Sequence, residues 1–300
     1  MVNCYGSRSY AETLGHIGRV RWLPQAGGAL FERNVSGTIY TDLIGPYPWA
    51  GFDDWSKLGD DLSRMHGGTA PVSVTAVVAP STASTDAALQ RAFPDHLVDF
   101  KPHFLVDLSS NYGDSFAASH RRKISRRDER LSICCVEPTG SVRSDWVRLY
   151  RALADRHQLS EMASFSASAL TRQLYLDGIH VFAARLEQET VGMAIFMVEG
   201  PLAAYHLGAY SRRGYELEAS FSLFPVAFKS LAANGVKLLN LGGGSGLGPS
   251  VNDGLSRFKR GWSTHQEMSR VGGRIIRPDV YAQLSGASPP SNYFPRYRSS

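Results

Sequence analysis

The chain has 300 residues, 43% of them apolar, and its 32 Lys and Arg against 27 Asp and Glu leave a net charge of +5. Such a composition predicts a soluble protein of one large or two medium domains and argues against disorder; no stretch approaches the ~20 apolar residues of a membrane span. The mild basicity suits an anionic partner without requiring one. Cys4 stands alone and Cys134 and Cys135 are adjacent. Neighbours in a strand point to opposite faces, so that pair is not expected to form a structural disulfide. No Cys-x-x-Cys or Cys/His ligand spacing occurs, so no metal site is expected. Residues 1–24 hold no apolar core of signal-peptide length, and the expected location is the reducing cytoplasm.

Residues 36–43 read as a strand, followed by Gly45-Pro46-Tyr47-Pro48-Trp49-Ala50-Gly51, a loop of breakers and aromatics. The pattern predicts a helix over 53–65 capped by Asp53 or Asp54, a strand over 72–79 between Pro71 and Pro80, a short helix over 87–92 and a strand over 103–108. Residues 115–130 read as the most basic helix of the chain, and 133–136 as a strand.

From residue 142 the period lengthens. Helices are predicted over 144–157 and 166–175, then a hairpin of buried strands over 181–186 and 191–198 and a third strand over 203–210. A helix over 216–233 closes at Asn234-Gly235, a C-cap signal, and a fourth strand covers 236–241. Residues 285–300 read as a flexible tail. The whole predicts an α/β fold of two mixed-sheet lobes flanked by helices, 1–110 and 111–284.

The densest feature is Leu238-Leu239-Asn240-Leu241-Gly242-Gly243-Gly244, followed after eight residues by Asp253-Gly254-Leu255-Ser256-Arg257-Phe258-Lys259-Arg260-Gly261-Trp262. An apolar strand runs into glycines, a loop, and a basic turn flanked by Phe258 and Trp262. A phosphate-cradling Gly-x-x-x-x-Gly-Lys-Ser/Thr loop nearly fits 243–250, but Pro249 stands where its lysine belongs. The dinucleotide fingerprint fails on spacing. The glycines are therefore expected to shape the turn that presents Lys259 rather than to cradle a nucleotide. An ordinary surface loop with solvated charges is the competing reading.

This segment resembles the C-terminal signature of the FemAB/FemX-like transferases, the branch of the GNAT acyltransferase superfamily that attaches amino acids from aminoacyl-tRNA to amines. Ser119-His120-Arg121-Arg122-Lys123-Ile124-Ser125-Arg126-Arg127 is similar to the basic helix that opens the family's second half. Leu153-Ala154-Asp155-Arg156-His157 is similar to its substrate-contacting helix end, although His157-Gln158 replaces the expected Asp-Gly. The resemblance runs from about residue 104 to 262 and is weak before it. It implies two GNAT-like lobes, here without the coiled-coil arm of some members.

By this resemblance Lys259, packed by Phe258, stabilises the oxyanion formed when an amine attacks the aminoacyl ester. Arg156 holds an anionic group of the acceptor, and Tyr205 walls the acyl site. Gly243 and Asp253 line the substrate loop, where Asp253 either orients Lys259 or caps a turn. Tyr47 and Trp49 are further acceptor contacts, and His206 is read as a core histidine. Arg260 meets tRNA phosphate together with Arg121, Arg122, Lys123, Arg126 and Arg127. Arg122, Arg126 and Arg130 would share one helix face, which either binds tRNA or is merely solvated. No general base is evident. Aminoacyl-tRNA enters as co-substrate and no cofactor is expected. The acceptor is a peptidoglycan precursor or an amine of a specialised, antibiotic-type pathway. Acyl-CoA is the alternative donor, but Ser211-Arg212-Arg213-Gly214-Tyr215-Glu216 lacks the leading Arg/Gln of a pyrophosphate turn and puts Glu216 where an anion would approach. A non-catalytic RNA- or protein-binding relative is the third reading.

Overall fold

The computed structural model describes residues 3–80, 82, 84–158, 165–246, 253–286 and 293–299. The chain divides into two compact units, Asn3–Phe100 with Met268–Ser300, and Lys101–Glu267.

In the first unit, helix α1 (Arg8–Thr13) precedes β1 (Arg19–Leu23), β2 (Gly28–Asn34) and β3 (Thr41–Ile44). A 3-10 turn at Trp55–Lys57 then leads into α2 (Leu58–Ser63), followed by β4 (Ser73–Val78) and α3 (Asp86–Ala92). The helix expected over 53–65 is split into this 3-10 turn and α2; Asp54 caps the turn, its carboxylate accepting from Ser56 N at 2.9 Å, while α2 begins without a side-chain cap. The strand expected over 36–43 is shortened to β3 because a turn closes Tyr40 C=O onto Val35 N. β1–β2 and β2–β3 are antiparallel and β3–β4 parallel. Leu30, Leu43, Phe52, Trp55, Leu58, Val74 and Phe93 form the core.

Strand β5 (His96–Asp107) carries the chain into the second unit, followed by α4 (Ala118–Ser125), β6 (Leu131–Cys135), α5 (Gly140–His157) and α6 (Ala167–Gln173). Next come β7 (Ile179–Leu186), β8 (Glu189–Glu199) and β9 (Leu202–Tyr210), then α7 (Arg212–Glu216) and α8 (Ala219–Ala233). β10 (Leu238–Asn240) and α9 (Gly254–Arg260) complete this unit. Its sheet has the order β5-β10-β9-β8-β7-β6, antiparallel except for the parallel β10–β9 pair. The apolar runs of β7 and β8 place Phe182, Ala184, Ala194 and Phe196 on one face, where Leu223, Phe224 and Phe228 of α8 cover them.

Strand β11 (His265–Ile275) returns the chain to the first unit, pairs antiparallel with β4 and leads into α10 (Pro278–Ser285). The boundaries therefore differ from 111–284 plus a free tail. Residues 293–299 are anchored: Phe294 is 9% exposed and stacks on His96 and Tyr281, while Arg298 pairs with the buried Asp42 at 2.5 Å. Polar composition hid these aromatic and guanidinium anchors, and 287–292 lie outside the described residues.

A candidate active site around Lys259

β9 and β10 pair only through Leu202–Leu238, Ala203–Leu239 and Ala204–Asn240. Tyr205 is the first β9 residue beyond this pairing. A bulge follows at once, since Phe196 pairs with Tyr205 and Ile195 with Leu207, so the register shifts at His206. The two side chains separate as expected of strand neighbours. The half-buried ring of Tyr205 faces Lys259, whose Nζ lies 5.9 Å from its centroid. His206 turns inward against Gln173 (3.3 Å), and burial lowers its pKa to about 3, so it is a neutral core histidine.

Beyond Asn240 the chain turns at Gly242, whose φ of 76° favours glycine. Four side chains hold the backbone of this turn. Asn240 Oδ1 accepts from Gly242 N (2.7 Å), and Lys259 Nζ donates to Gly243 O (2.7 Å). Lys101 Nζ donates to Gly244 O (3.3 Å) and to Gly246 O, and Ser245 N donates to Asp253 Oδ1 (3.4 Å). A Cβ on Gly244 would stand 2.0 Å from Ser256 Oγ and 2.6 Å from Asp253 Oδ2, and one on Gly242 only 3.2 Å from Lys259 Nζ. The glycines are thus packing requirements of the turn beside Lys259. Pro249 lies outside the described residues.

The basic Phe-Lys-Arg-Gly turn is the last part of helix α9. Asp253 starts it, accepting from Leu255 N (2.9 Å), Ser256 N (3.0 Å) and the Ser256 hydroxyl. Burial alone would raise the Asp253 carboxyl, but these bonds outweigh it and hold the pKa well below the usual range. Phe258 packs on Phe221 and Phe224, and Trp262 is fully buried against Phe116, His120 and Phe224. His120 of α4 locks the helix end, with its Nε2 2.9 Å from Phe258 O and its ring 2.1 Å from where a Cβ on Gly261 would lie. This crowding explains the glycine of the signature.

Lys259 is 7% exposed. Burial first, and the charge of Lys101 second, lower its pKa from 10.5 to about 7, against the opposing pull of Asp253. His103 is neutral, held at about 3 by burial and by the charge of Lys259. Its Nδ1 accepts from Asn240 Nδ2 at 3.0 Å. An amine that titrates near 7 is partly protonated at neutral pH, so it can donate to an oxyanion as ammonium or accept a proton as free amine.

The structure brings together Lys259, Tyr205, Gly243 and Asp253, with Phe258 beneath. Arg156 ends α5 exposed, its guanidinium 4.5 Å from the Tyr215 ring of α7, and Arg260 lies 5.7 Å from the Phe104 ring. In that α7 turn Ser211 Oγ already accepts from Gly214 N (3.1 Å), and Glu216 pairs with Arg212 (3.1 Å) and Arg213 (3.3 Å).

The basic helix is shorter than expected. It stops at Ser125, and Asp128 accepts from Arg130 N (3.0 Å) and pairs with its guanidinium (2.6 Å) on entry to β6. Arg122, Arg126 and Arg130 therefore do not form one helical stripe. Lys123 is bound to Glu218 (2.5 Å) and Arg121 donates to Phe116 O, whereas Arg122, Arg126 and Arg127 are exposed.

Tyr47 and Trp49 sit in the first unit. Trp49 is 2% exposed and packs edge-on against Tyr5, so it offers no surface to an acceptor; Tyr47 C=O accepts from Tyr10 OH at 2.6 Å. The breaker-rich loop concealed a core aromatic. Conversely, Lys101, His103, Asn240 and His120 were not singled out from the sequence. Lys101 and His103 were findable as polar alternation at the head of an apolar strand, because residues i and i+2 share a face.

Residues 114–260 match the family described as an acetyltransferase (GNAT) domain. The chain as a whole shares its fold with several solved structures. The crystal structure of FemX superposes with a TM-score of 0.66 at 13% identity, covering 93% of each chain. The C-terminal domain of a putative lysylphosphatidylglycerol synthetase from Agrobacterium fabrum gives 0.64 at 14% identity, over 93% of this chain and 90% of that one. L-PGS from Bacillus licheniformis gives 0.61 at 13%, over 91% and 88%. No curated protein matches the chain significantly. Among the described residues no helix is long and apolar enough to cross a membrane, and no group of side chains could hold a metal ion.

Proposed function

We propose that the chain is a FemX-like aminoacyltransferase, forming an amide between an aminoacyl group delivered by aminoacyl-tRNA and a substrate amine. The observation that carries this reading is a buried lysine, Lys259, fixed by a capped helix and a glycine turn beside the point where β9 and β10 part. The neutral amine attacks the ester carbonyl, and the tetrahedral oxyanion takes a hydrogen bond from the Lys259 ammonium. As the intermediate collapses the C–O bond breaks, and the proton lost by the amine nitrogen goes to the departing ribose oxygen of the tRNA. A preorganised donor at such an oxyanion is worth ~3–4 kcal/mol. The shared fold and the signature around Lys259 support the donor class. The exposed Arg122, Arg126 and Arg127, with Arg260 nearer the site, are the groups proposed to meet tRNA phosphates. Arg156, with the Tyr215 ring behind its guanidinium, is proposed to hold an acceptor carboxylate or phosphate. A peptidoglycan precursor and a small specialised-metabolite amine both suit such a contact.

The description of the matched family as an acetyltransferase favours a second reading, transfer from acyl-CoA. The α7 turn opposes it, because Ser211 already occupies the Gly214 N–H and Glu216 neutralises both arginines.

Mass spectrometry of products from charged tRNA and a panel of amines tests the proposal. Transfer should vanish after ribonuclease treatment and fall about 10²–10³-fold in Lys259→Ala. Full activity in that variant would remove the oxyanion role, and tight CoA binding by calorimetry would favour the second reading. In Arg122→Glu/Arg126→Glu, tRNA affinity should drop and depend less steeply on salt. Unchanged affinity would make those arginines solvated charges only.

A further inference from the structure

Lys101 lies outside the resemblance that singles out Lys259, yet both lysines grip the same glycine turn. The Lys259 ammonium donates to Gly243 O at 2.7 Å, and the Lys101 ammonium donates to the next carbonyl, Gly244 O, at 3.3 Å and to Gly246 O. The two lysines therefore grip carbonyls of adjacent residues in one turn. Lys101 also packs under the turn, its Cδ 3.3 Å from where a Cβ on Gly243 would stand.

We propose that Lys101 is a positioning residue of this site, acting on the reaction through Lys259 rather than by touching substrate. It has two effects. As a tether it fixes the carbonyl strip that aims Lys259. As a like charge in a partly dry setting it disfavours the Lys259 ammonium, as a cationic neighbour activates a catalytic lysine. The charged and titratable groups around Lys259 are few. Lys101 and His103 come from β5, Asp253 from the start of α9 and Tyr205 from β9. His103 is neutral and Tyr205 is a phenol, so among the described residues Lys101 and Asp253 are the charges that bias Lys259, in opposite directions. A lysine balanced in this way can protonate when an oxyanion forms and give the proton up when it collapses. Without Lys101 the balance would lie further towards the ammonium, with burial alone opposing it. The reaction step rests on the function proposed above; the Lys101–Lys259 coupling does not.

The test is competitive acetic anhydride labelling of the full-length protein across pH 5–10, reading Lys259 by mass spectrometry in wild type, Lys101→Met, Lys101→Gln and Lys101→Arg. Lys101→Gln keeps a donor for the carbonyls but removes the charge, so it serves even if Lys101→Met folds poorly. Lys259 should titrate at least about one pH unit higher in Met and Gln than in wild type, and at the wild-type pH in Arg. Where transfer activity is measured, its pH limb should move by the same interval. An unchanged Lys259 titration in both uncharged variants would overturn the proposal. A shifted titration without tRNA-dependent turnover would uphold the coupling and count against the donor assignment instead.

Discussion

Replacing Lys259 with methionine should stabilise the protein while lowering its transfer activity. The fall of the Lys259 pKa from 10.5 to about 7 means that folding disfavours the ammonium. At ~1.4 kcal/mol per pH unit this amounts to on the order of 5 kcal/mol. Its pH dependence has a definite sign. Below pH 7 both folded and unfolded chains carry the proton and the full penalty applies. Between about 7 and 10.5 the unfolded chain holds more protons than the folded one, so stability rises with pH; above 10.5 both are neutral and the penalty is gone. Methionine removes the penalty at every pH but leaves Gly243 O without its donor, which costs ~1–3 kcal/mol. The net expectation near pH 6.5 is a gain of roughly 2–4 kcal/mol that shrinks, and turns to a small loss, towards pH 10. Urea unfolding of both proteins at pH 6.5, 8 and 9.5 measures this difference. A Lys259→Met protein that is less stable at pH 6.5 by an amount constant with pH would refute the reasoning, since the ammonium would then be solvated or paired in the folded state.

Two further outcomes follow from the same geometry. Gly261→Ala would push a methyl to within 2.1 Å of the His120 ring, and overpacking of this kind costs ~1–3 kcal/mol in denaturant unfolding; unchanged stability would mean that His120 moves freely. Asp253→Ala removes the helix cap, at a cost of ~1 kcal/mol, and a carboxylate that raises the Lys259 pKa. Lys259 should then titrate lower than in wild type, the reverse of the shift expected at Lys101, and an upward shift measured by the same labelling would contradict that electrostatic picture.

The apolar runs of β7, β8 and β9, the α5 periodicity and the Gly-Gly to Phe-Lys-Arg-Gly signature are local facts, and the sequence alone was enough to place them. Each depends on neighbouring residues having to bury a face, turn sharply or cap a helix, which needs no knowledge of the rest of the chain. The glycine turn was legible for the same reason, as was the prominence of Lys259 within it. The tertiary structure decided what surrounds that lysine. Lys101 and His103 precede it by more than 150 residues and reach it because β5 pairs with β10, while Trp49 left the candidate site because packing against Tyr5 buried it. The basic helix ends at Ser125, and Asp128 pairs with Arg130 where the chain enters β6. Burial sets the pKa of Lys259, and burial belongs to the assembled core; sequence could indicate which lysine to examine, and only the fold could make it titrate near neutrality.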